Sequence, residues 1–531
     1  MGKQSTLTSR IDNLVAGRSF ADLPVARIVG AADRFAEKAA FESESGALSF
    51  SAVQQSTDRF ARGLIARFGL SRGDRVAVML PNCLQFPIAT FANMKAGLVQ
   101  VSVNPNYTPR ELLHQLEDSG AAVLVIDAAC IATFAAIADE LGDIGIVLVG
   151  EGDAPDGSVP FEVLCEERDL PLLPAPPRPD DLVFLQYTGG TTGVSKGAMI
   201  THRNLGANLL QFEHHLDGHI AYGEGAIFTA LPLYHIFALM VNCLSGFCLG
   251  LTNHLVRDPR DADLMIDTLI RGRPSVVTGV NTLFAGLAAH PRIGEVDWSN
   301  LRLSLGGGTK ILPAASRAWE ELTGQPIKVG YGLSEASPIV SIHPMDQREF
   351  AEHAGQPVVS TEVKLLDPDG REVGAGEPGE VCIRGPQVMR GYWRRAAEHN
   401  QSFTDDGYFR TGDIAIRDAR GNLDIVDRIK DMILVSGFNV YPNEIEAALA
   451  EHPGVAESIC VGVPDERTGE AVKAFIVPRA SPPPPAAELT AFLREKLTAY
   501  KIPRLFEYRS ALPKSAVGKL LRKELKPEAT P

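Results

Sequence analysis

The chain alternates short apolar runs with longer segments of helical period. Continuous apolar runs lie at residues 75–80 (RVAVML), 121–127 (AAVLVID) and 144–150 (IGIVLVG). Between such runs, apolar positions recur every three or four residues, as in 53–68. Strands that are buried on both faces are continuously apolar, and helices that cover them are amphipathic. The pattern therefore predicts an α/β fold with parallel sheets covered by helices.

The same alternation continues through the middle of the chain, at 275–280 (SVVTGV), 301–305 (LRLSL) and 327–331 (IKVGY). Three of the predicted strands run into glycine-rich or polar loops, with the sequences TGGTTG, GGGTK and GLSEAS. Ligands of open α/β sheets bind beyond the carboxyl ends of the strands. These loops therefore predict a ligand site at one edge of the sheets.

The texture of the sequence changes twice in the last third. From about Thr361 short strands alternate with turns, which is typical of antiparallel β structure. Past Lys430 comes a helix with Pro442 in its first turn, then two strands and a second helix. A single hydrophobic core seldom serves more than about 300 residues. We therefore predict a large domain at 1–429, with a β-rich subdomain at about 345–429, and a small α+β domain at 430–531.

Residues 225–256 contain no Asp, Glu, Lys or Arg and are numerous enough to cross a bilayer. The segment is nevertheless interrupted by Pro232, His235, Asn242 and several glycines. We therefore expect a strand, a buried helix and another strand in a globular interior, rather than a membrane span.

Composition and charge narrow the function classes. Hydrophobic residues make up 45% of the 531 residues, and the net charge of -14 comes without any run of Lys or Arg. The overall field would repel nucleic acid, although a local basic patch for peripheral membrane contact stays open. The seven cysteines form no CxxC pair, which favours buried free thiols in a reducing compartment. The first residues show no signal peptide, so we expect a cytoplasmic protein. Peripheral contact with the inner face of the membrane stays open.

The densest chemical signal is residues 187–198, YTGGTTGVSKGA, which follow an apolar run. Ser195 and Gly197 flank Lys196, so the Walker A pattern fails on both sides of the lysine. Glycines let backbone N–H groups approach a phosphate, hydroxyls donate to it and a lysine neutralises it. We interpret the stretch as a different phosphate loop, with a flexible turn as the alternative. The remaining candidate phosphate ligands are Thr188, Gly189, Gly190, Thr191, Thr192 and Gly193.

With YGLSEASP, YFRTGD, DRIKDMILVSGFNVYPNEIE and PKSAVGKLLRKEL, this loop resembles the adenylate-forming superfamily in order and spacing. That superfamily contains acyl-CoA synthetases, peptide-synthetase adenylation domains and luciferases. The chain is most similar to the bacterial long-chain fatty acid CoA ligases. The resemblance runs from about residue 28 to the end, and the first 27 residues have no counterpart in it.

The resemblance implies a two-step reaction that depends on ATP and Mg2+. The acid attacks ATP to give acyl-AMP and pyrophosphate, and the CoA thiol then displaces AMP. A medium-chain or aryl acid CoA ligase and an acyl-AMP ligase that loads a carrier protein stay open, although no insertion that would block the CoA step is evident. A non-catalytic sensor is the alternative from another class. A homodimer also stays open.

The resemblance also assigns roles to single residues. Lys519, Glu335, Thr188 and His235 are the implied catalytic residues, with Glu335 and Thr188 as Mg2+ ligands. Lys430 is the implied hinge. Further implied nucleotide ligands are Lys196, Gly306, Gly307, Gly308, Tyr331, Gly332, Ser334, Asp413 and Arg428. Ser436 and Gly437 are placed near CoA, and His235, Phe237 and Gly279 line the acyl pocket.

Three of these assignments keep a structural alternative. The glycine run at 306–308 could be a tight turn only. Arg428 could form an ion pair with a neighbouring aspartate, and His235 could be a core histidine without a ligand.

Overall fold

The fold is described from a computed structural model of the chain. It describes residues 2–153, 155–166, 170, 172–173, 175–188, 195–436, 438–465, 467–515 and 518–526, with the backbone alone at 2–5 and 400. Six of the implied site residues lie outside the described residues: Gly189, Gly190, Thr191, Thr192, Gly193 and Gly437.

Strands and helices alternate along most of the chain. The strands are β1 Ala39–Ser43, β2 Gly46–Ser49, β3 Arg75–Met79, β4 Val99–Ser102, β5 Val123–Asp127, β6 Gly145–Val149, β7 Val159–Pro160, β8 Leu182–Thr188, β9 Lys196–Thr201, β10 Ala226–Thr229, β11 Thr252–Leu255, β12 Val276–Gly279, β13 Leu303–Gly306, β14 Ile327–Gly332, β15 Ile339–Ile342, β16 Gln356–Pro357, β17 Glu362–Leu366, β18 Pro378–Arg384, β19 Phe409–Arg417, β20 Leu423–Arg428, β21 Ile433–Val435, β22 Phe438–Val440, β23 Val455–Asp465, β24 Gly469–Pro478 and β25 Leu505–Tyr508. The α-helices are α1 Gly2–Val15, α2 Pro24–Arg34, α3 Phe50–Phe68, α4 Gln85–Ala96, α5 Pro109–Ser119, α6 Ile131–Ala135, α7 Phe161–Glu166, α8 His202–Leu216, α9 Gly246–Cys248, α10 Ala262–Gly272, α11 Asn281–Ala288, α12 Pro313–Thr323, α13 His399–Ser402, α14 Pro442–Ala450 and α15 Ala486–Arg494.

Two large sheets confirm the predicted α/β class. One has the strand order β7-β6-β5-β3-β4-β8-β9 and the other the order β16-β15-β14-β13-β12-β10-β11-β1-β2. Every pair from β7 to β8 in the first sheet and from β14 to β1 in the second is parallel. Their strands are almost wholly buried, because helices cover them.

One strand was not expected. Strand β9 leads from the predicted phosphate loop into α8 and pairs antiparallel with β8. In that pairing Thr188 stands opposite Lys196. The loop therefore connects the two strands of a hairpin, and its two ends are held at the distance of paired strands.

The uncharged segment lies in the interior, as predicted. It forms β10, a helical stretch and β11. The helical stretch begins with a π-helix, Ala238–Ser245, in which every residue is buried. The π-helical geometry is the part that the sequence did not indicate. In the described part of the chain, no helix is both long enough and apolar enough to cross a membrane.

Two smaller sheets follow. Strands β17 to β20 form an antiparallel sheet, as the turn-rich sequence predicted. Beyond it, β21 to β25 form another sheet that packs with α14 and α15 around a core of its own. The α+β character of this last part is confirmed. The boundaries at 345, 429 and 430 stay predictions.

The first residues form an ordered helix that was not predicted. In α1, Leu7, Ile11 and Leu14 are buried, and they pack against Leu23 of the following turn. Ala207 and Leu210 of α8 complete this cluster. The spacing i, i+4, i+7 on α1 is the signal that could have revealed it.

All seven cysteines are free thiols, and six of them are buried while Cys165 is half-buried. Burial raises the pKa of Cys83 to about 11 and that of Cys165 to about 12. The predicted free-thiol state is confirmed.

Candidate active site

Side chains from three strands meet in one cluster around the buried Asp413. The Tyr331 hydroxyl of β14 donates a hydrogen bond to Asp413 Oδ2 at 2.7 Å. Arg428 Nε lies 2.9 Å from Asp413 Oδ1, because the two residues stand opposite each other on β19 and β20. Asp413 raises the pKa of Arg428, and burial raises that of Tyr331. The cluster joins the second large sheet to the antiparallel sheet. Arg428 forms an ion pair with an aspartate of the adjacent strand, and its implied role at the nucleotide stays a prediction.

Lys519 of the C-terminal tail lies within electrostatic reach of this cluster. Loss of hydration lowers the pKa of its ammonium to about 8; Arg428 and Lys430 act in the same direction and Asp413 opposes them. The adjacent Gly518 carbonyl accepts a hydrogen bond from Thr282 of α11 at 3.4 Å. The tail lysine and this cluster therefore belong to one site, although 105 residues lie between Asp413 and Lys519 in the sequence.

His235 also lies within electrostatic reach of Lys519. Loss of hydration lowers the pKa of the imidazole to about 4, and the Lys519 ammonium acts in the same direction. The His235 Nδ1 atom accepts a hydrogen bond from the Phe237 backbone N–H at 3.3 Å. The ring is therefore neutral near pH 7, with its proton on Nε2.

Glycines allow the strand ends next to Phe237 to pack closely. A Cβ on Gly307 would lie 3.3 Å from the Phe237 ring and from the Gly330 carbonyl oxygen. The Gly307 N–H donates to the Gly279 carbonyl at 3.2 Å. Gly308 has a φ of +74°, which favours glycine. Gly306 therefore ends β13 and the chain bends at Gly308, and Gly307 places Phe237 beside the end of β13.

Glu335 is a buried carboxylate at the end of the same sheet. It follows Ser334 in a short helical turn, and it is 8% exposed. Its Oε1 atom accepts a hydrogen bond from the Tyr392 hydroxyl at 2.7 Å. Burial raises the pKa of Glu335, because little water solvates its charge.

Lys196 connects the phosphate loop to the same tyrosine. Its ammonium lies 5.6 Å from the centre of the Tyr392 ring and forms an ion pair with Glu398. The backbone around Tyr392 runs beside β9, where the Trp393 N–H donates to the Gly197 carbonyl at 2.8 Å. Sequence reasoning missed Tyr392 and Glu398. Tyr392 lies within the aromatic sequence GYW at 391–393, which is the signal that could have revealed it, and Glu398 follows shortly after.

The donor set fits a magnesium ion. Among the described residues, no group of three or more His, Cys, Asp or Glu side chains could hold a metal by itself. Mg2+ is usually bound through one or two carboxylates together with substrate phosphates. Glu335 is a single buried carboxylate in a turn that contacts β8 and β9, the strands beside the predicted phosphate loop, and a cation would favour its charged form.

Ser436, one of the two residues implied for CoA, lies in a different sheet from this cluster. Ser436 has a φ of +52° in the turn between β21 and β22, and its N–H donates to the Thr468 carbonyl at 2.8 Å. Within the described parts of the chain, Ser436 forms no hydrogen bond or ion pair with Asp413, Arg428 or Lys519. The exposed side chains of Leu434 and Phe438 flank this turn.

Comparison with known proteins identifies the class to which this fold and site belong. The chain is a member of the AMP-binding enzyme family: residues 29–393 match the AMP-binding enzyme, and residues 444–519 match the AMP-binding enzyme C-terminal domain. Within this family, a long-chain-fatty-acid CoA ligase of Escherichia coli O157:H7 is 45% identical over 521 residues, 93% of this chain and 92% of that protein. A feruloyl-CoA synthase of Amycolatopsis sp is 38% identical over 485 residues, 90% of this chain and 94% of that protein.

A solved structure agrees with the fold. The anthranilate CoA ligase AuaEII in complex with anthranoyl-AMP matches with a TM-score of 0.88 at 27% identity, covering 94% of this chain and 96% of that chain.

Proposed function

We propose that the protein is an AMP-forming long-chain fatty acid CoA ligase. It joins a fatty acid to ATP as acyl-AMP with release of pyrophosphate, and it then transfers the acyl group to CoA with release of AMP. The observation that carries the proposal is the position of Lys519, which is electrostatically coupled both to Asp413 and Arg428 and to His235. The long-chain ligase that is 45% identical supports the substrate class.

The first step brings two anions together, so fixed cations are its main requirement. Lys519 is within electrostatic reach of Asp413 and Arg428, the proposed nucleotide ligands, and of His235 in the proposed acid pocket. There its ammonium lowers the repulsion between carboxylate and α-phosphate. In this proposal Asp413 accepts the ribose hydroxyls, Tyr331 packs beside the adenine and Lys196 binds a phosphate.

Glu335 and Thr188 are the proposed Mg2+ ligands. When bound, the ion neutralises phosphate charge and orients the pyrophosphate leaving group. Tyr392 holds Glu335 by its hydrogen bond, and it therefore fixes the direction in which the carboxylate presents its second oxygen.

The acid pocket is proposed beside His235, Phe237 and Gly279. A neutral histidine next to Lys519 leaves the ammonium as the cation that meets the carboxylate. Each methylene that leaves water contributes about 0.8 kcal/mol, so an apolar pocket favours long chains. Contact with a membrane surface and formation of a homodimer stay predictions.

The second step is proposed to follow a rotation of residues 430–531 about Lys430. The rotation would withdraw Lys519 and bring the turn with Ser436 and Gly437 toward the acyl-AMP. Separation of two half-reactions by a hinge is a known device. Leu434 and Phe438 are exposed where they stand, and exposed apolar side chains on a turn suit burial after such a rotation.

A second candidate is an aryl acid CoA ligase. The feruloyl-CoA synthase, 38% identical over 90% of the chain, favours it. The two candidates share the adenylation chemistry and differ only in the acid.

The first test supplies ATP, Mg2+ and CoA with straight acids of two to eighteen carbons and with ferulate, and it measures AMP and thioester. We expect kcat/KM to rise with chain length by a factor of about 4 for each buried methylene, until the pocket is full. A higher kcat/KM for ferulate than for every straight acid would replace the proposal by the second candidate.

The second test separates the half-reactions. Lys519→Ala should lower acyl-AMP formation by about 100-fold or more, because the cation is lost, while thioester formation from supplied acyl-AMP stays within about twofold. Lys514→Ala is the matched control, because Lys514 precedes the same loop and pairs with Glu457. An equal loss in both half-reactions of Lys519→Ala would contradict the proposed role.

A further inference from the structure

The loop that carries Lys519 touches helix α11 of the large domain. A Cβ on Gly518 would lie 2.7 Å from Thr282 Oγ1 and 3.3 Å from Val280 Cγ2. Gly518 has a φ of +78°, and its carbonyl accepts the Thr282 hydrogen bond at 3.4 Å. Both the backbone conformation and the close approach therefore favour glycine opposite Thr282.

The first turn of α11, which contains Thr282, is held in place by hydrogen bonds and by the core. Asn281 Oδ1 accepts a hydrogen bond from the Leu312 N–H at 2.8 Å, and the Asn281 N–H donates to Thr309 Oγ1 at 3.4 Å. Further along α11, Phe284 is fully buried. The first turn of α11, in which Thr282 lies, is thus tied to the segment before α12 and to the core.

The same helix borders the proposed acid pocket. Gly279 ends β12 just before α11, and a Cβ on Gly279 would lie 3.0 Å from both Leu283 Cδ2 and Phe284 Cε2. Leu283 and Phe284 of α11 therefore face Gly279, and Thr282 of the same helix faces the tail loop. A shift of α11 would move the pocket wall and the contact for Gly518 together.

We propose that Thr282 is the seat of the tail loop, a positioning residue that places Lys519 for acyl-AMP formation and has no part in the CoA step. The inference rests on the proposed function, because it takes Lys519 as the adenylation lysine. Lys519 follows Gly518 directly, so a displacement of the Gly518 backbone moves the lysine with it. Positioning of this kind affects a rate strongly, since small misplacements of reacting groups are costly.

A cross-link tests the contact without relying on activity. The Cβ position of Gly518 lies 4.0 Å from Thr282 Cβ, within the range of disulfides of about 3.5 to 4.5 Å. The double variant Thr282→Cys, Gly518→Cys should form a disulfide on mild oxidation, and dithiothreitol should break it. Each single-cysteine variant is a control, and six of the seven native thiols are buried. Failure of the double variant to cross-link would overturn the inference.

The oxidised double variant then tests the role. Compared with the same protein after reduction, it should keep acyl-AMP formation within about threefold and lose at least about tenfold in thioester formation from supplied acyl-AMP. Unchanged thioester formation in the cross-linked protein would also overturn the inference.

A substitution at Thr282 alone gives a second readout. Thr282→Met fills the space that Gly518 occupies, and it should lower pyrophosphate exchange by about tenfold while thioester formation from acyl-AMP stays within about twofold. Thr282→Ser keeps the hydroxyl and should restore exchange to within about twofold of the wild type. Gly286→Ala is the matched control on α11, because a Cβ there meets no atom within 4 Å. Equal losses in both half-reactions for Thr282→Met would contradict the seat.

Failure of the proposed function has a different signature. A wild-type protein that makes acyl-AMP from none of the acids would refute the proposed function, and the cross-link would still decide the Thr282 contact. Acyl-AMP formation that survives Thr282→Met unchanged would refute the seat and leave the proposed function standing.

Discussion

Lys519 is the residue whose environment bears most directly on catalysis. Loss of hydration lowers the pKa of its ammonium from the ordinary value of 10.5 to about 8. The group is therefore protonated below about pH 8 and becomes neutral as the pH rises through that value. Its cationic role in acyl-AMP formation should fade over the same interval.

The pH dependence of acyl-AMP formation should show this titration. We expect kcat/KM for ATP, which reports the free enzyme, to fall as pH rises through about 8. Pyrophosphate exchange measures this half-reaction without the CoA thiol, whose own ionisation has the opposite effect on the second step. Lys519→Arg keeps its charge throughout, so its lower rate should show no fall near pH 8. The same fall in Lys519→Arg would assign the titration to another group.

At the residue scale, the sequence predicted the members of the site but not their partners. Asp413, Arg428, Tyr331 and Lys519 were assigned from motifs, and the structure brings these four together. Their pairing across strands could not be predicted, because a motif contains no register. Thr282 was passed over for the same reason, since only the folded tail gives it a partner.

Helix α8 illustrates how the elements are fixed to one another. Its Gly206 is buried where α1 and the turn before α2 cross it, so that a Cβ would lie 2.9 Å from the Asp22 carbonyl oxygen and 3.1 Å from Leu14 Cδ2. Glycine inside a helix normally costs about 1 kcal/mol relative to alanine. Here the close approach of a backbone atom outweighs that cost.

Gly206→Ala should therefore destabilise the protein. The gain in helix propensity is about 1 kcal/mol, whereas overpacking costs about 1 to 3 kcal/mol, and a backbone carbonyl yields less than a side chain. We expect a net loss of about 1 kcal/mol in the free energy of unfolding, measured by denaturant titration. Gly30→Ala in α2 is the control, because a Cβ there meets no atom within 4 Å, and it should stabilise by about 0.5 to 1 kcal/mol. A higher free energy of unfolding for Gly206→Ala would show that α1 and the turn before α2 can move away from the added methyl group at no cost in stability.

At the element scale, the parallel strands and their helices were predictable, because continuous apolar runs and helical periods are local signals. Strand β9 was not, since a short run becomes a strand only through its pairing with β8. The π-helix Ala238–Ser245 could not be predicted either, because an entirely apolar stretch gives no periodicity to measure.

At the scale of the whole molecule, Asn443 joins the two proposed domains beside the predicted hinge. Its N–H donates to Asp427 Oδ2 at 2.9 Å and its side-chain amide donates to the Val426 carbonyl at 3.0 Å. Its side-chain oxygen accepts a hydrogen bond from Arg522, three residues beyond Lys519. Asn443 thus links the start of α14 to strand β20 and to the C-terminal tail.

Asn443→Ala should loosen this junction. We expect trypsin to cleave at Lys430, which is already exposed, several-fold faster in the variant, because cleavage follows the population of the opened state. Fragment sizes after timed digestion measure the effect. Glu495→Ala, an exposed position in the same domain, should digest like the wild type. Equal digestion of Asn443→Ala and the wild type would show that the amide does not hold the junction.

The buried cysteines have a consequence for the whole molecule. The proposed second substrate is itself a thiol, and CoA that has been oxidised to its disulfide would exchange with any accessible thiolate on the protein. Burial raises the pKa of Cys83 and Cys130 to about 11 and that of Cys248 and Cys382 to about 12, so few thiolates exist near neutral pH. The protein can therefore work at high CoA concentrations without becoming covalently attached to it.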